Sequence, residues 1–212
     1  MKVVYLIRHG QTVSNATRTT GSASDPLSPK GEKQAELIAS RFKDIPLDLI
    51  ISSTYLRALQ TGKAIAQHKE CQFEESSLFT EIKQPTVLEG TSFDDPKLAS
   101  VREFRFANWG NEGVHHSDEE NFFDVRKRAR KALDYLASRP EREIAVTTHG
   151  GFLRALAQEI MLGDLLTPPL TMAVMRSLVM SNTGITVLRF DEGVWKLVSW
   201  NDTIHLEPLV DE

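Results

Sequence analysis

The sequence predicts an α/β fold: a three-layer sandwich with a mostly parallel central sheet, helices on both faces and a lid-like insertion. Three observations carry that expectation. Short apolar, β-rich runs alternate with longer stretches of helical periodicity. The runs are apolar almost throughout, the pattern of strands covered on both faces. One stretch, about residues 82–121, breaks the alternation with prolines, glycines and mixed charge, and reads as a lid or cap insertion.

Each element follows in order. Lys2 to Ile7 is the first expected strand. After a Thr/Ser-rich loop, Ser28 is an N-cap and Pro29 takes the first helical position, where its missing N–H has no intrahelical partner to lose. Ala35, Ile38 and Phe42 share one face of that helix, and Pro46 ends it. Asp48 to Ser52 reads as a second strand. Ser53 or Thr54 then caps a helix with Leu56, Leu59 and Ile65 at helical spacing. Cys71 to Glu74 predicts a short third strand.

In the insertion only a short helix around Leu98 to Phe106 is expected. Ser117 and Glu120 have capping-box spacing and open a helix through Val125, Ala129, Leu133 and Leu136. Glu143 to Thr148 is another strand, and Gly150-Gly151 leads into a helix with Phe152, Leu153, Leu156 and Ile160. Leu178 to Trp200 reads as strands turning at Asp191-Glu192-Gly193, a hairpin that adds an antiparallel strand at one edge.

At 212 residues, 41% hydrophobic and 25% charged, the chain is expected to form a single domain, 1–212, around one core. A net charge of -4 argues against a nucleic-acid partner, which calls for a basic surface. No apolar run reaches the roughly 20 residues of a membrane span, and Met1 to Leu6 is too short for a signal peptide. The single Cys71 makes no internal disulfide, so a cytoplasmic location is expected, with no membrane partner.

Ligands of such sheets bind at the carboxyl ends of the strands. Three of the expected strand ends carry unusual cargo: Arg8-His9-Gly10, then Arg57 in the first turn of its helix, then His149-Gly150-Gly151. Taken singly, an RHG tripeptide, a helix arginine and a strand-end histidine are ordinary. Together they place two guanidinium forks and two imidazoles in one crevice, a fit for the oxygens of a phosphoryl group. The N–H groups at the start of the Gly150 helix add an anion site. A neutral imidazole is a competent nucleophile toward phosphorus, and a second, protonated one would stabilise charge on the equatorial oxygens. Gly10 is expected to keep the nucleophile's surroundings open, and Asn15 to donate to the same phosphate. The arginines supply the positive charge, so neither a metal nor a cofactor is expected.

These motifs resemble the histidine phosphatase superfamily, in the branch that holds the cofactor-dependent phosphoglycerate mutases and broad-specificity phosphatases. "LIRHGQTVSN" resembles its opening motif, "DPLSPKGEKQA" its loop and first helix, "SSTYLRALQTG" its second arginine motif and "VTTHGGFLRAL" its second histidine motif. "VLRFDEGVWKLVSWNDTIHL" resembles the last strands. The resemblance implies that His9 is the phosphorylated nucleophile and that Arg8, Arg57 and His149 complete the phosphate pocket. Asn15, Thr20, Gly21 and the Gly150 backbone would assist in binding substrate. The branch draws its proton donor from a mid-chain acid after the third strand, here Glu81, with Glu89 the competitor.

The chain departs from the branch at Gln11, where Glu is frequent, and its loop to Thr20-Gly21 is one residue shorter than in the mutases. Neither is expected to touch the chemistry. Two further departures from the mutases bear on activity. Gln84-Pro85-Thr86 stands where they carry a glycine and a tryptophan, and the arginine pair that grips phosphoglycerate is not apparent. The expected activity is therefore metal-independent hydrolysis of a small-molecule phosphomonoester. Mutase-type transfer and a non-catalytic phosphoester-binding module are the alternatives. Of the remaining features, His115-His116 reads as a polar lid loop and Arg126 to Lys131 as the wet face of a helix. Lys83, Arg102 and Arg105 could contact an acidic substrate, with Phe104, Phe106 and Trp109 an apolar wall over the pocket, but the insertion also carries many acids and a polyanionic substrate is not expected.

Overall fold

The computed structural model describes residues 1–209. In chain order the elements are β1 (Lys2–Arg8), α1 (Val13–Thr17), α2 (Pro29–Phe42), β2 (Leu49–Ser52), α3 (Leu56–Ala66) and β3 (Gln72–Glu75). Then come α4 (Pro96–Asn108), α5 (Phe122–Ser138), β4 (Glu143–Thr148), α6 (Gly150–Leu162), α7 (Pro168–Ser177), β5 (Ile185–Asp191) and β6 (Val194–Asp202). The strands form one six-stranded sheet in the order β3-β2-β4-β1-β5-β6. The first four are parallel, and β5 and β6 add the expected antiparallel edge.

Successive strand residues point to opposite faces, which divides the core in two. On one face Val4, Leu6, Ile51 and Val146 pack under Val125, Leu133, Phe152 and Leu156 of α5 and α6. On the other, Ile7, Ile50 and Ala145 meet Ile38 and Phe42 of α2 and Ile65 of α3. Each large apolar side chain buried this way contributes about 1.5–3 kcal/mol. A small separate cluster, Leu88, Leu98 and Val101, organises the insertion.

The register sets the site. Arg8 of β1 lies opposite Thr148 of β4, and Ser52 of β2 lies opposite Thr147. Residues 9, 53 and 149 therefore leave three adjacent parallel strands at about one level.

Several local expectations need correction. Helix α5 is capped by Asn121 and Asp124, not by Ser117 and Glu120. The Asn121 side chain accepts from the N–H groups of Phe123 and Asp124, and Asp124 accepts in return from the Asn121 N–H. Glu120 is drawn away to Arg128 and to the Lys83 N–H. Neither Ser53 nor Thr54 caps α3, whose N-cap is Tyr55 with no side-chain bond. Helix α4 runs Pro96–Asn108, longer than expected, and α1 and α7 had no sequence expectation. Residues 178–184 are loop rather than strand, because their backbone is spent bracing the end of β1: the Thr183 N–H donates to Arg8 O (2.9 Å).

Candidate active site

The backbone at His9 is held from several directions. Its N–H donates to Thr148 O (2.9 Å), and its carbonyl accepts from Asn182 Nδ2 (2.9 Å). The Gly10 N–H donates to Thr61 Oγ1 (3.1 Å), and the Gln11 N–H to Gln34 Oε1 (2.8 Å). Gly10 is not there to open space around His9, as the sequence suggested. A Cβ at that position would lie 2.6 Å from the Gly31 carbonyl oxygen, so the glycine allows α2 to approach.

The His9 ring is anchored too. Nδ1 lies 2.7 Å from Gly10 O, a pure acceptor, so Nδ1 carries the proton. Nε2 then presents its lone pair, which accepts from Arg57 Nε at 3.1 Å. Arg57 is also bound through Nη1 to Ser22 O (2.7 Å), while Arg8 Nη1 donates to Met180 O. Arg8 Nε is buried without a partner.

His149 is fully buried, its ring centroid 5.0 Å from that of His9. Nε2 shares a 2.7 Å hydrogen bond with Ser53 Oγ, Nδ1 has no partner, and the Tyr55 ring packs edge-on at 5.1 Å. Burial, then the nearby arginines, push both imidazoles well below their ordinary pKa of 6.5, so both are neutral at pH 7. The stabilisation that a protonated second histidine would supply therefore needs a proton that burial disfavours at His149. Burial also lowers Arg8 and Arg57, with the Glu81 carboxylate working against it.

Glu81 sits at the start of α6. Oε2 accepts from the Gly151 N–H (3.1 Å), and Oε1 from Phe152 (2.9 Å) and from Ile82 (2.8 Å). The Gly151 and Phe152 N–H groups, part of the anion site expected at the start of this helix, are thus taken by the protein's own carboxylate.

A cavity of about 310 Å³ opens here, and Arg8, His9, Asn15, Arg57 and Glu81 line it. Thr20 and Gly21 reach its rim, where the Thr20 hydroxyl donates to Leu88 O of the insertion. His149 and Gly150 do not line it, and neither does Glu89. Asn15 Oδ1 accepts from the Thr12 N–H in the α1 capping box, which leaves its Nδ2 free to point outward. Two guanidiniums, a neutral imidazole whose Nε2 lone pair is held by Arg57 and a carboxyl group around one space suit phosphoryl transfer.

Several supporting residues had no signal in the sequence. Ser14 donates to Asp25 beside Gly21, and Arg154 Nε binds Leu178 O (2.7 Å). Arg128, read as part of a wet face, turns inward to Leu78 O, Thr80 O and Glu81 O. Its neighbours Arg126 and Arg130 both pair with Glu159. His115 pairs with Asp124 at 2.7 Å. Among the described residues no three His, Cys, Asp or Glu side chains gather as a metal site, and no helix is long and apolar enough to cross a membrane.

A probable phosphoglycerate mutase of Escherichia coli, GpmB, is 31% identical over 227 aligned positions, covering 100% of this chain and 99% of the relative. The fold of Bacillus stearothermophilus YhfR superimposes with a TM-score of 0.83 at 25% identity, over 98% of this chain and 100% of that one. A phosphoserine phosphatase of Entamoeba histolytica, solved with phosphoserine, gives 0.78 at 28% identity, over 97% and 100%. The sequence model of the histidine phosphatase superfamily (branch 1) matches residues 4–203, nearly the whole sheet and all the residues that gather at its edge. The chain belongs to that superfamily.

Proposed function

We propose that the chain hydrolyses phosphomonoesters through a phosphoryl group carried on His9. In this reading the whole chain is one domain, and the segment 82–121 is its lid. Arg8 and Arg57 clamp the phosphoryl oxygens, with Asn15, Thr20 and Gly21 at the rim. His149, whose Nδ1 is buried without a partner, is assigned to the equatorial oxygens. His9 Nε2 attacks phosphorus, the P–N bond forms and the ester P–O bond breaks. Glu81, protonated for this step, gives its proton to the leaving alkoxide. Its carboxylate then takes a proton from water, whose oxygen attacks phosphorus. The P–N bond breaks, inorganic phosphate leaves, and His9 is neutral again. No metal or cofactor takes part, because the guanidiniums carry the charge.

The observation that supports this most directly is the His9 ring, tied at Nδ1 to Gly10 O (2.7 Å) with Nε2 turned to Arg57 (3.1 Å). His9→Ala should lower p-nitrophenyl phosphate turnover by about 10³-fold or more while the circular dichroism spectrum is retained. Excess chelator in the same assay should leave the wild-type rate unchanged. Substantial turnover by the variant would remove His9 as nucleophile.

The name carried by the 31% identical relative favours a second reading, phosphoryl transfer back to a bound sugar-acid phosphate. Isomerisation of 3-phosphoglycerate without release of inorganic phosphate would select it over hydrolysis.

A further inference from the structure

A second cavity, about 610 Å³, lies beside the one that contains His9. Helices α4 and α7 and the segment after Glu81 wall it. Phe106, Trp109, Met172 and Met175 form the apolar part; Arg102, Arg105 and Arg176 form the cationic part, against the single acid Glu103. Ile82, Gln84, Arg102 and Met175 border both cavities, so the two open side by side over the same residues. The smaller cavity already has room for a phosphate and a short polar alcohol. The larger one is of the size that takes a whole organic ring system.

Three features describe what it fits. Phe106 is 51% exposed, and the Arg176 guanidinium lies 5.0 Å from its ring centroid. The guanidinium lies over the ring, so the pair presents an aromatic edge and a flat cation against which a planar group can stack. Next, Arg105 and Trp109 set polar side chains into the wall, with Arg105 Nε and Trp109 Nε1 buried behind its surface. Arg105 is at the same time tied to Gln84 Oε1, at the boundary between the cavities. Last, three guanidiniums against one carboxylate give the cleft a positive field.

We propose that this cleft binds the alcohol half of the substrate, and that the substrate is a phosphomonoester of a flat, ring-bearing alcohol with anionic oxygen on its far side. The inference rests on His9 as the phosphoryl acceptor, since the ester oxygen has to sit there while the ring reaches past Gln84. Small polar phosphoesters fill only the first cavity and leave the apolar wall and its guanidiniums unmatched.

The test is a series of aryl phosphates with leaving phenols of similar acidity: phenyl, 2-naphthyl and 6-carboxy-2-naphthyl phosphate. Each is turned over by the full chain and by Met172→Asp and Arg176→Ala. Ratios between substrates within one variant cancel any loss of folded protein. Each step along the series should lower KM about fivefold or more, first from the second ring and then from the carboxylate. Met172→Asp should remove the first gain and Arg176→Ala the second. A flat series, or gains that survive both substitutions, would overturn the cleft assignment and leave hydrolysis at His9 standing. Failure to turn over any of the three would overturn the phosphatase reading, and this inference with it.

Discussion

Gly151 and Glu81 share one space. A Cβ on Gly151 would lie 2.6 Å from Glu81 Oε1, while the Gly151 N–H donates to Oε2 at 3.1 Å. The acid occupies the place a side chain on α6 would take. Gly151→Ala should keep its fold, since the methyl meets only the ends of the Glu81 and Ile82 side chains, and should push the carboxyl group aside. A displacement of that order is expected to lower kcat for alkyl phosphates by about 10²-fold. Aryl phosphates, whose leaving groups need less protonation, should lose less, and Glu81→Gln should show the same split. Equal losses on both classes would remove Glu81 from proton transfer.

Helix α2 meets the loop after His9 backbone to backbone. A Cβ on Gly31 would fall 1.9 Å from Gln11 O, and neither side has a rotamer with which to yield. Gly31→Ala is expected to lose about 1–3 kcal/mol, read as a lower urea midpoint at unchanged slope. kcat should fall with it, because Gly10 and Gln11 carry the carbonyl and N–H that set the His9 loop. An unchanged midpoint would show that the helix can withdraw at no cost.

The two buried histidines make stability depend on pH. In the unfolded chain each titrates near 6.5, whereas in the fold burial and the arginines hold both well below that. Below about pH 6.5 the unfolded chain takes up protons that the folded chain refuses, so stability is full above that pH and falls as the pH drops. Each histidine contributes up to about 1.4 kcal/mol per pH unit to that fall. Chemical denaturation from about pH 7.5 to pH 5 measures it, and His9→Gln should flatten the slope by one histidine's share. An unaltered slope would mean that His9 titrates as freely in the fold as out of it.

Arg128 clamps the segment that presents Glu81. From α5 it reaches Leu78 O (3.0 Å), Thr80 O (2.8 Å), Glu81 O (3.2 Å) and the Glu120 carboxylate (2.6 Å), with its guanidinium 3.9 Å from the Phe152 ring centroid. Arg128→Met keeps the stem and removes the donors. kcat is expected to fall about tenfold with KM nearly unchanged, since the acid moves and the phosphate clamp does not. Arg128→Lys should restore only part of the loss, because one ammonium cannot serve the same fork of acceptors. A wild-type kcat in Arg128→Met would separate the clamp from the chemistry.

The buried parallel strands were legible because residues such as Ile50, Ile51 and Val146 are apolar on both faces of the sheet. The gathering of Arg8, His9, Arg57 and His149 was legible because strand ends were legible. The α5 cap was not. Ser117 with Glu120 and Asn121 with Asp124 fit the same spacing, and the choice between them is made by Arg128, which draws Glu120 across a tertiary contact. Arg128 itself stands in a run of charge that reads as solvated, and only the carbonyls of residues 78–81 give it a reason to turn inward. Helix α7 was hidden because Thr167-Pro168-Pro169 resembles a turn and the apolar residues after it merge with those of the following loop. The purpose of Gly10 was misread because the atom that crowds it belongs to Gly31, on another element.

The strand that carries the candidate nucleophile lies in the middle of the sheet, between β4 and β5. Neither partner exists on the ribosome until residues 143–148 and then 185–191 have been made. At about 5–20 residues per second the first strand waits on the order of 10 s or more with its apolar faces unpaired. The two histidines therefore face each other only once β4 has been made and has paired with β1, so the candidate site is assembled late relative to its nucleophile.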